Sequence, residues 1–142
     1  MTVLLDDHLL RDWMARRDDE LRRAVGAEDV ATTNLWYARL CKSAARRTDG
    51  ALLQGWSVDD RRALVAGLVA LPDDVVVVPL RELAWTMAEL AVDHAGLSSL
   101  GAEAVAAAVR LGARVLVSSR DDGPGIRHCC ASVGVSYETL TR

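Results

Sequence analysis

Short apolar runs alternate with longer segments of helical periodicity along this chain. Residues 3–5 form an entirely apolar run, and residues 75–78 are four valines in succession. Because β-branched residues favour extended backbone, the valines give the strongest strand signal of the sequence. Strands are also predicted at residues 29–33, 114–118 and 134–140.

In the intervening segments, apolar residues recur at intervals of three and four, which is the spacing of one buried helix face. One helix is predicted over residues 7–25, with Gly26 ending it. A second begins at Thr33 or Asn34, either of which is a suitable N-cap, and a third follows Ser57. Further helices are predicted at residues 80–94, 102–111 and 126–133, and a loop at residues 48–57.

The helix predicted at residues 80–94 has two chemically different faces. Leucine, alanine and methionine occupy the face expected to be buried, and three acids with one threonine occupy the opposite face. The expected buried residues are Leu80, Leu83, Ala84, Met87, Leu90 and Ala91, and the expected solvated residues are Glu82, Thr86, Glu89 and Asp93.

The order of strands and helices is typical of an α/β domain. Apolar strands that alternate with helices predict a mainly parallel sheet of four or five strands, covered by helices on both faces. Residues 3–5 are expected at the centre of the sheet, flanked by residues 75–78 or 114–118. A chain of 142 residues is long enough for one substantial core, so we expect residues 1–142 to form a single domain.

Two pairs of aspartates follow predicted strands. Asp6 and Asp7 come directly after the first strand, and Asp121 and Asp122 come shortly after the strand at residues 114–118. The carboxyl ends of parallel strands meet at one edge of a sheet, so these carboxylates could converge if their strands are neighbours. They are either ligands of a metal ion or residues of helix caps and turns, and Asp6 and Asp7 could serve both purposes.

Composition limits the partners and the compartment. The net charge of −3 gives no general attraction to nucleic acid or anionic membranes, although a local basic patch remains open. No apolar run approaches the roughly 18 residues that span a bilayer, and early acids do not fit a signal peptide. Three cysteines without paired spacing indicate reduced thiols and a cytoplasmic protein.

Two stretches of the chain resemble the PIN domain, the fold of many small metal-dependent ribonucleases, including toxins of bacterial toxin–antitoxin pairs. The start, VLLDDHLL, resembles the first strand of that family and the aspartate that ends it. The stretch from VVVVPLRELAW to RVLVSSRDD resembles its second half, with a strand, a helix, a GLS turn, an alanine-rich helix, an LGA break, a strand and then an acid.

The resemblance implies a three-layer α/β/α fold with a functional site at the carboxyl edge of the sheet. In such a site, three or four carboxylates hold one or two Mg²⁺ or Mn²⁺ ions, which suits the preference of hard cations for oxygen ligands. The ion would activate a water and stabilise charge on a phosphate of RNA. The resemblance also implies a homodimer and an antitoxin-like protein partner.

The chain departs from the PIN pattern at most of its acidic positions. Asp6 matches the first acid, with Asp7 beside it. The second acid would fall near Thr33 or Asn34 and the third at Gly101, and none of these positions carries a carboxylate. Glu103 is a possible substitute for the third, but two residues along a helix is about 200° round the axis.

The fourth acid would fall at Arg120, with Asp121 and Asp122 one and two positions late on a turn. A guanidinium at a ligand position would repel a divalent cation, and Arg120 is either a phosphate contact or a partner in a surface ion pair. The resemblance thus gives Asp6 and Asp121 as catalytic residues and Asp6, Asp7, Asp121 and Asp122 as ligands of weakly bound Mg²⁺ or Mn²⁺.

Two functions fit these residues. The chain is either a toxin-type metal-dependent ribonuclease with a reduced acidic set, or a non-catalytic PIN-like module that binds RNA or a protein partner. The missing acids favour the module, whereas Asp6 and the extent of the resemblance keep the ribonuclease open. A nucleotide-binding domain is disfavoured because the chain has no GxGxxG or GxxxxGK[ST] segment. We also expect a homodimer, formed by an apolar helix surface with Trp36 or Tyr37 exposed.

Overall fold

A computed structural model describes residues 1–46 and 51–142, and in this part of the chain five strands form one parallel sheet. The strands are β1 (Thr2–Leu5), β2 (Asp29–Thr32), β3 (Val75–Val77), β4 (Arg114–Ser118) and β5 (Tyr137–Leu140). Their order across the sheet is β3-β2-β1-β4-β5, and each neighbouring pair is parallel. The predicted α/β class with a parallel sheet is therefore confirmed.

Helices cover both faces of the sheet. They are α1 (Asp7–Ala15), α2 (Asp19–Val25), α3 (Asn34–Ala45), α4 (Val58–Val69), α5 (Leu80–Asp93), α6 (Ser99–Leu111) and α7 (Pro124–Val133). The loop predicted at residues 48–57 lies partly outside the described residues, and a short 3₁₀ turn, Ala51–Leu53, falls within it. Among the described helices, none combines the length and apolarity needed to cross a membrane.

The two cores follow from the alternation of side chains along each strand. Val3 and Leu5 of β1 point into a core shared with α1 to α4, whereas Leu4 points into a core shared with α5 to α7. Leu116 and Val117 of β4 divide in the same way. The central strands β1 and β4 are thus buried on both sides, as their apolar sequences predict.

The dimer contact expected of Trp36 or Tyr37 does not match their positions. Trp36 is 2% exposed and belongs to the core, and the hydroxyl of Tyr37 donates to the carbonyl of Leu68. Neither aromatic residue is free to lead a dimer contact.

The first strand lies at the centre of the sheet, as predicted. Leu4 pairs with Ala31 of β2 on one side and with Val115 of β4 on the other. The sequence left two neighbours of β1 open, and residues 114–118, as β4, do lie beside it. Residues 75–78 do not, because β3 pairs with β2 at the edge of the sheet. Asp6 and the loop after β4 consequently leave the same edge of adjacent strands.

The single helix predicted over residues 7–25 is wrong, because the chain breaks it into α1 and α2. Arg16 takes a left-handed conformation with φ 54°, and its amide donates to the carbonyl of Trp13 at 3.2 Å. Asp18 then begins α2 by accepting from the amide of Leu21 at 2.9 Å. No large apolar residue lies between Met14 and Leu21, so a continuous helix would have no buried side there.

Two predicted helix starts are confirmed. The Thr33 hydroxyl accepts from the amide of Trp36 at 3.0 Å and caps α3. The Ser57 hydroxyl accepts from the amide of Asp60 at 3.1 Å and caps α4. The cap at Thr33 fixes the direction in which α3 leaves β2, and it thereby places the side chains of α3 above the central edge of the sheet.

Candidate functional site

Asp6 is a buried carboxylate whose two oxygens are both taken by protein donors. As the N-cap of α1, its Oδ1 accepts from the amide of Leu9 at 2.8 Å. Its Oδ2 accepts from the amide of Ser118 at 2.8 Å and from the hydroxyl of Ser118 at 2.7 Å. Burial raises the pKa of Asp6 to about 6, although these hydrogen bonds favour the charged form.

Asp7 is equally buried and is held by two cationic side chains. Its Oδ1 accepts from the amide of His8 at 2.9 Å, lies 3.1 Å from His8 Nδ1, and accepts from Arg39 Nη2 at 2.7 Å. Its Oδ2 accepts from Arg39 Nε, so that the guanidinium grips both oxygens. Burial alone would raise the pKa of Asp7, but hydrogen bonds from His8 and Arg39 hold it well below its usual range.

Arg39 connects Asp7 to Asp121 in the loop that follows β4. Its Nη2 also donates to Asp121 Oδ2, so one guanidinium bridges a carboxylate after β1 and a carboxylate after β4. The partners lie 32 and 82 residues away along the chain. Arg39 comes from the middle of α3, whose start is fixed by the cap at Thr33. The arginine is therefore built into the site by the fold.

His8 supplies a second positive charge. Its Nδ1 lies 3.1 Å from Asp7 Oδ1 and 3.8 Å from Asp121 Oδ2. Burial would lower the pKa of His8, but hydrogen bonding to Asp121 and Asp7 raises it to about 9. His8 is thus an imidazolium at neutral pH, and with Arg39 it nearly balances the three carboxylates.

The donor atoms of Asp6, Asp7, His8 and Asp121 all lie within 4.8 Å of one another, and this acidic cluster could hold a metal ion. The types of its donors, carboxylate oxygens and an imidazole nitrogen, suit a divalent cation. However, both oxygens of Asp6 and both of Asp7 already accept hydrogen bonds, and Arg39 fills the space between Asp7 and Asp121. In the present arrangement an added ion would have to displace Arg39 from the oxygens of Asp7 and Asp121.

Glu103 lies elsewhere and has another task. Its side chain is fully buried on α6, and it caps the start of α3 from outside that helix. Glu103 Oε1 accepts from the amide of Asn34 at 2.7 Å and from Asn34 Nδ2 at 2.6 Å, and Oε2 accepts from the amide of Leu35 at 2.9 Å. The expected substitute acid therefore stands outside the cluster and positions α3, the helix that carries Arg39.

Asp122 and Arg120 are also outside the cluster. Asp122 accepts from Arg127 Nη2 at 2.5 Å and from the hydroxyl of Tyr137 at 2.8 Å, and the Tyr137 bond lowers the pKa of Asp122. Arg120 is exposed, and its Nε donates to the carbonyl of Arg142 at 3.3 Å. Of the residues that the sequence indicated, the structure brings together Asp6, Asp7 and Asp121.

Sequence reasoning missed Arg39 and His8. A weak signal for Arg39 exists in the helix pattern, since Arg39 follows Trp36 by three positions and precedes Leu40, and both of those residues are buried. An arginine at the border of a buried helix face is expected to reach a partner. His8 directly follows the two aspartates, and no sequence pattern distinguishes it as a further member of the cluster.

Comparison with known proteins supports the fold. No family model matches the chain, and no curated protein matches it. Among solved structures, the chain is similar to a chain of FitAB bound to an IR36 DNA fragment, with a TM-score of 0.58 and 13% sequence identity. The match covers 96% of this chain and 94% of that chain. This likeness concerns the fold, and the present chain has a PIN-like three-layer α/β/α fold.

Proposed function

We propose that this chain is a PIN-like domain that acts by binding a protein partner and does not cleave RNA. The observation that carries the proposal is the guanidinium of Arg39, which bridges Asp7 and Asp121 at the edge where a PIN-type nuclease would hold its ion. In such a nuclease the ion would activate a water and neutralise charge on the phosphate. Here the side chain of Arg39 already binds Asp7 and Asp121, two of the acids that would hold the ion.

The permanent charge of Arg39 makes its ion pairs with Asp7 and Asp121 difficult to displace. A guanidinium does not lose its proton in proteins, so Arg39 cannot yield the site by titration. A Mg²⁺ or Mn²⁺ ion would have to displace it from Asp7 and Asp121 while also shedding part of its own water shell. His8 adds a second positive charge beside the same oxygens. We therefore expect weak binding of either ion.

The fold supports a protein as the partner. FitAB, to which the chain is similar, is a PIN-domain toxin–antitoxin complex, so an antitoxin-like protein is a reasonable partner for a chain of this fold. RNA is less favoured, because the net charge of −3 gives no general attraction to a phosphate backbone. We propose that residues 1–142 act in this way as one domain.

The first half of the proposal is tested with RNA and metal. Single-stranded RNA is incubated with the protein and MnCl₂ or MgCl₂, beside an Asp6→Asn variant, and Mn²⁺ binding is followed by calorimetry. We expect no cleavage above that of the variant and no saturable binding at ion concentrations below about 1 mM. Cleavage that Asp6→Asn abolishes would overturn the non-catalytic assignment.

The protein-partner half of the proposal is tested by co-expressing this chain with the small proteins encoded by the genes on either side of its own gene. We expect one of them to co-purify in a fixed ratio and to remain bound at high salt. If neither forms a complex, the protein-partner assignment is wrong, and the result of the metal experiment is unaffected.

A further inference from the structure

A cavity of about 370 Å³ lies at the amino-terminal edge of the sheet, away from the acidic cluster, and is lined by Trp13, Arg16, Arg22, Gly26 and Asp74. Trp13 and Arg16 come from the end of α1, Arg22 and Gly26 from α2 and its end, and Asp74 directly precedes β3. Small-molecule sites in proteins have volumes of roughly 300–1,000 Å³, so this cavity is large enough for a ligand.

Arg16 takes a backbone conformation that other helices of this chain give to glycine. Its φ of 54° and ψ of 33° are left-handed, and in residues 1–46 and 51–142 it is the one non-glycine residue with a positive φ. Helices α6 and α7 end in the same left-handed region on Gly112 and Gly134, which adopt it without a steric penalty. An arginine in this strained position indicates that its side chain has a use there.

The cavity carries two positive charges without an internal partner. Within the described part of the chain, the guanidinium groups of Arg16 and Arg22 form no ion pair and no side-chain hydrogen bond. Asp18, at the start of α2, pairs instead with Arg142 at 2.5 Å. Each guanidinium presents its donors in a planar fork that matches the oxygens of a phosphate, so the two arginines are suited to an anionic ligand of this kind.

The other two polar or aromatic side chains of the cavity suit the remainder of a nucleotide. Trp13 is half-buried and packs against the core beneath it, so its indole is held in place as a surface on which a planar ring can stack. Asp74 is a carboxylate, which accepts hydrogen bonds from hydroxyl groups. Since Asp74 also repels an anion, a phosphate attached to a sugar should bind better than phosphate alone.

We propose that this cavity binds a free nucleotide. Arg16 and Arg22 hold the phosphate, the base stacks on Trp13, and Asp74 accepts from the hydroxyls of the ribose. The base is not specified, because stacking on an indole accommodates every base. The proposal goes beyond the function proposed above and is independent of it, since the cavity lies at the opposite edge of the sheet and contains no residue of the acidic cluster.

Calorimetric titration of the whole chain with adenosine 5′-monophosphate (AMP), with adenosine and with inorganic phosphate tests the proposal. We expect saturable binding of AMP with a Kd below about 1 mM, and binding of either fragment that is weaker by at least about tenfold. No saturable binding of AMP, or equally tight binding of inorganic phosphate, would overturn the proposal. If single-stranded RNA binds and AMP does not, the free nucleotide is the wrong occupant.

Arg22→Gln and Arg23→Gln are a matched pair of variants. Both arginines are exposed on α2 and each variant removes one positive charge, but Arg23 does not line the cavity. We expect Arg22→Gln to raise the Kd for AMP at least about tenfold and Arg23→Gln to leave it within about twofold. Equal losses would mean that AMP responds only to the general charge of the surface, which contradicts a built site.

Arg16→Gly separates binding from folding. Glycine adopts the left-handed conformation without a steric penalty, so this variant should unfold at a Tm no lower than that of the natural protein. It should nevertheless bind AMP at least about tenfold more weakly, because the phosphate loses one guanidinium. If Arg16→Gly binds AMP as tightly as the natural protein does, the side chain is not part of a site and the proposal is overturned.

Nuclear magnetic resonance locates the bound base. On addition of AMP, the indole N–H resonance of Trp13 should shift, since the base stacks on that ring. The indole of Trp85, which is 78% exposed on α5, is the control and should not respond. A shift of Trp85 with none of Trp13 would show that AMP binds elsewhere and would overturn the proposal.

Discussion

Ser118 donates both its amide, at 2.8 Å, and its hydroxyl, at 2.7 Å, to the same oxygen of Asp6. The two residues are 112 positions apart: Asp6 directly follows β1, and Ser118 ends the adjacent strand β4. The other oxygen of Asp6 caps α1. Asp6 therefore joins two strands and a helix at the edge of the sheet, and this role needs no metal ion.

The structural role of Asp6 predicts a large loss of stability on its removal. Asp6→Ala removes a helix cap, worth about 1 kcal/mol, and leaves the buried amide of Ser118 without a partner at a further cost of about 1–3 kcal/mol. We expect the free energy of unfolding to fall by about 2–4 kcal/mol in urea titrations, equally with and without Mn²⁺.

Ser57→Ala is the matched control for Asp6→Ala. Ser57 also caps a helix, accepting from the amide of Asp60 at 3.1 Å, but it is exposed and should cost only about 1 kcal/mol. If Asp6→Ala costs no more than Ser57→Ala, the tie between Asp6 and Ser118 contributes nothing to stability.

Glu103 should be equally important, although it lies outside the acidic cluster. Glu103→Ala leaves the amides of Asn34 and Leu35 without their acceptor, and we expect the free energy of unfolding to fall by about 2–4 kcal/mol. Glu89→Ala on the exposed side of α5 is the control and should stay within about 0.5 kcal/mol of the natural protein. Chemical denaturation measures both, and equal small effects would show that Glu103 does not hold α3.

The raised pKa of His8 predicts how the free energy of unfolding depends on pH. Hydrogen bonding to Asp121 and Asp7 outweighs burial and raises the pKa of His8 to about 9 in the folded state, above the ordinary value of 6.5. A raised pKa means that the stabilisation is complete below about pH 6.5 and is lost as the pH rises through 9. Between these limits the natural protein should lose up to about 3 kcal/mol more than His8→Gln does.

The charged groups that face His8 are Asp6, Asp7, Asp121 and Arg39, and all of them remain in the His8→Gln variant. Urea titrations at several pH values give the comparison, and the proton resonances of the His8 imidazole report its pKa directly. A titration of His8 centred near pH 6.5 would show that its contacts with the two aspartates do not persist in solution.

The sequence predicted those features that depend on neighbouring positions. Strands, caps and the shared edge of the acidic pairs follow from apolar runs, from side chains such as those of Thr33 and Ser57, and from the geometry of parallel sheets. What it did not predict depends on contacts across the fold. Arg39 meets acids 32 and 82 residues away, and Glu103 meets Asn34 at a separation of 69 residues.

Two further differences between the sequence-based expectation and the structure arise from packing. The third acid of the PIN pattern would fall at Gly101, but a Cβ there would lie 2.8 Å from Leu97 Cδ1, so Leu97 would have to move. The periodicity of α5 predicted Leu80, Ala84 and Ala91 on its buried face, but these residues are exposed, because the adjoining core contacts only part of that helix. Local pattern thus determined the elements, and tertiary contacts determined the site.

Thermal unfolding of Arg39→Gln with and without Mn²⁺ tests most directly whether Arg39 takes the place of a metal ion between Asp7 and Asp121. Removing the guanidinium leaves the buried Asp7 with only His8 of its two cations, at an expected cost of about 2–3 kcal/mol for a partly exposed arginine. The double variant Asp7→Asn with Arg39→Gln, which lacks both charges, is the control.

We expect Mn²⁺ at about 1 mM to raise the Tm of Arg39→Gln by at least about 3 °C, because an ion that binds the folded state stabilises it. The same ion should leave the Tm of the natural protein and of the double variant unchanged. If Mn²⁺ instead stabilises the natural protein as much as it stabilises Arg39→Gln, the guanidinium does not occupy the site of a cation, and the claim is contradicted.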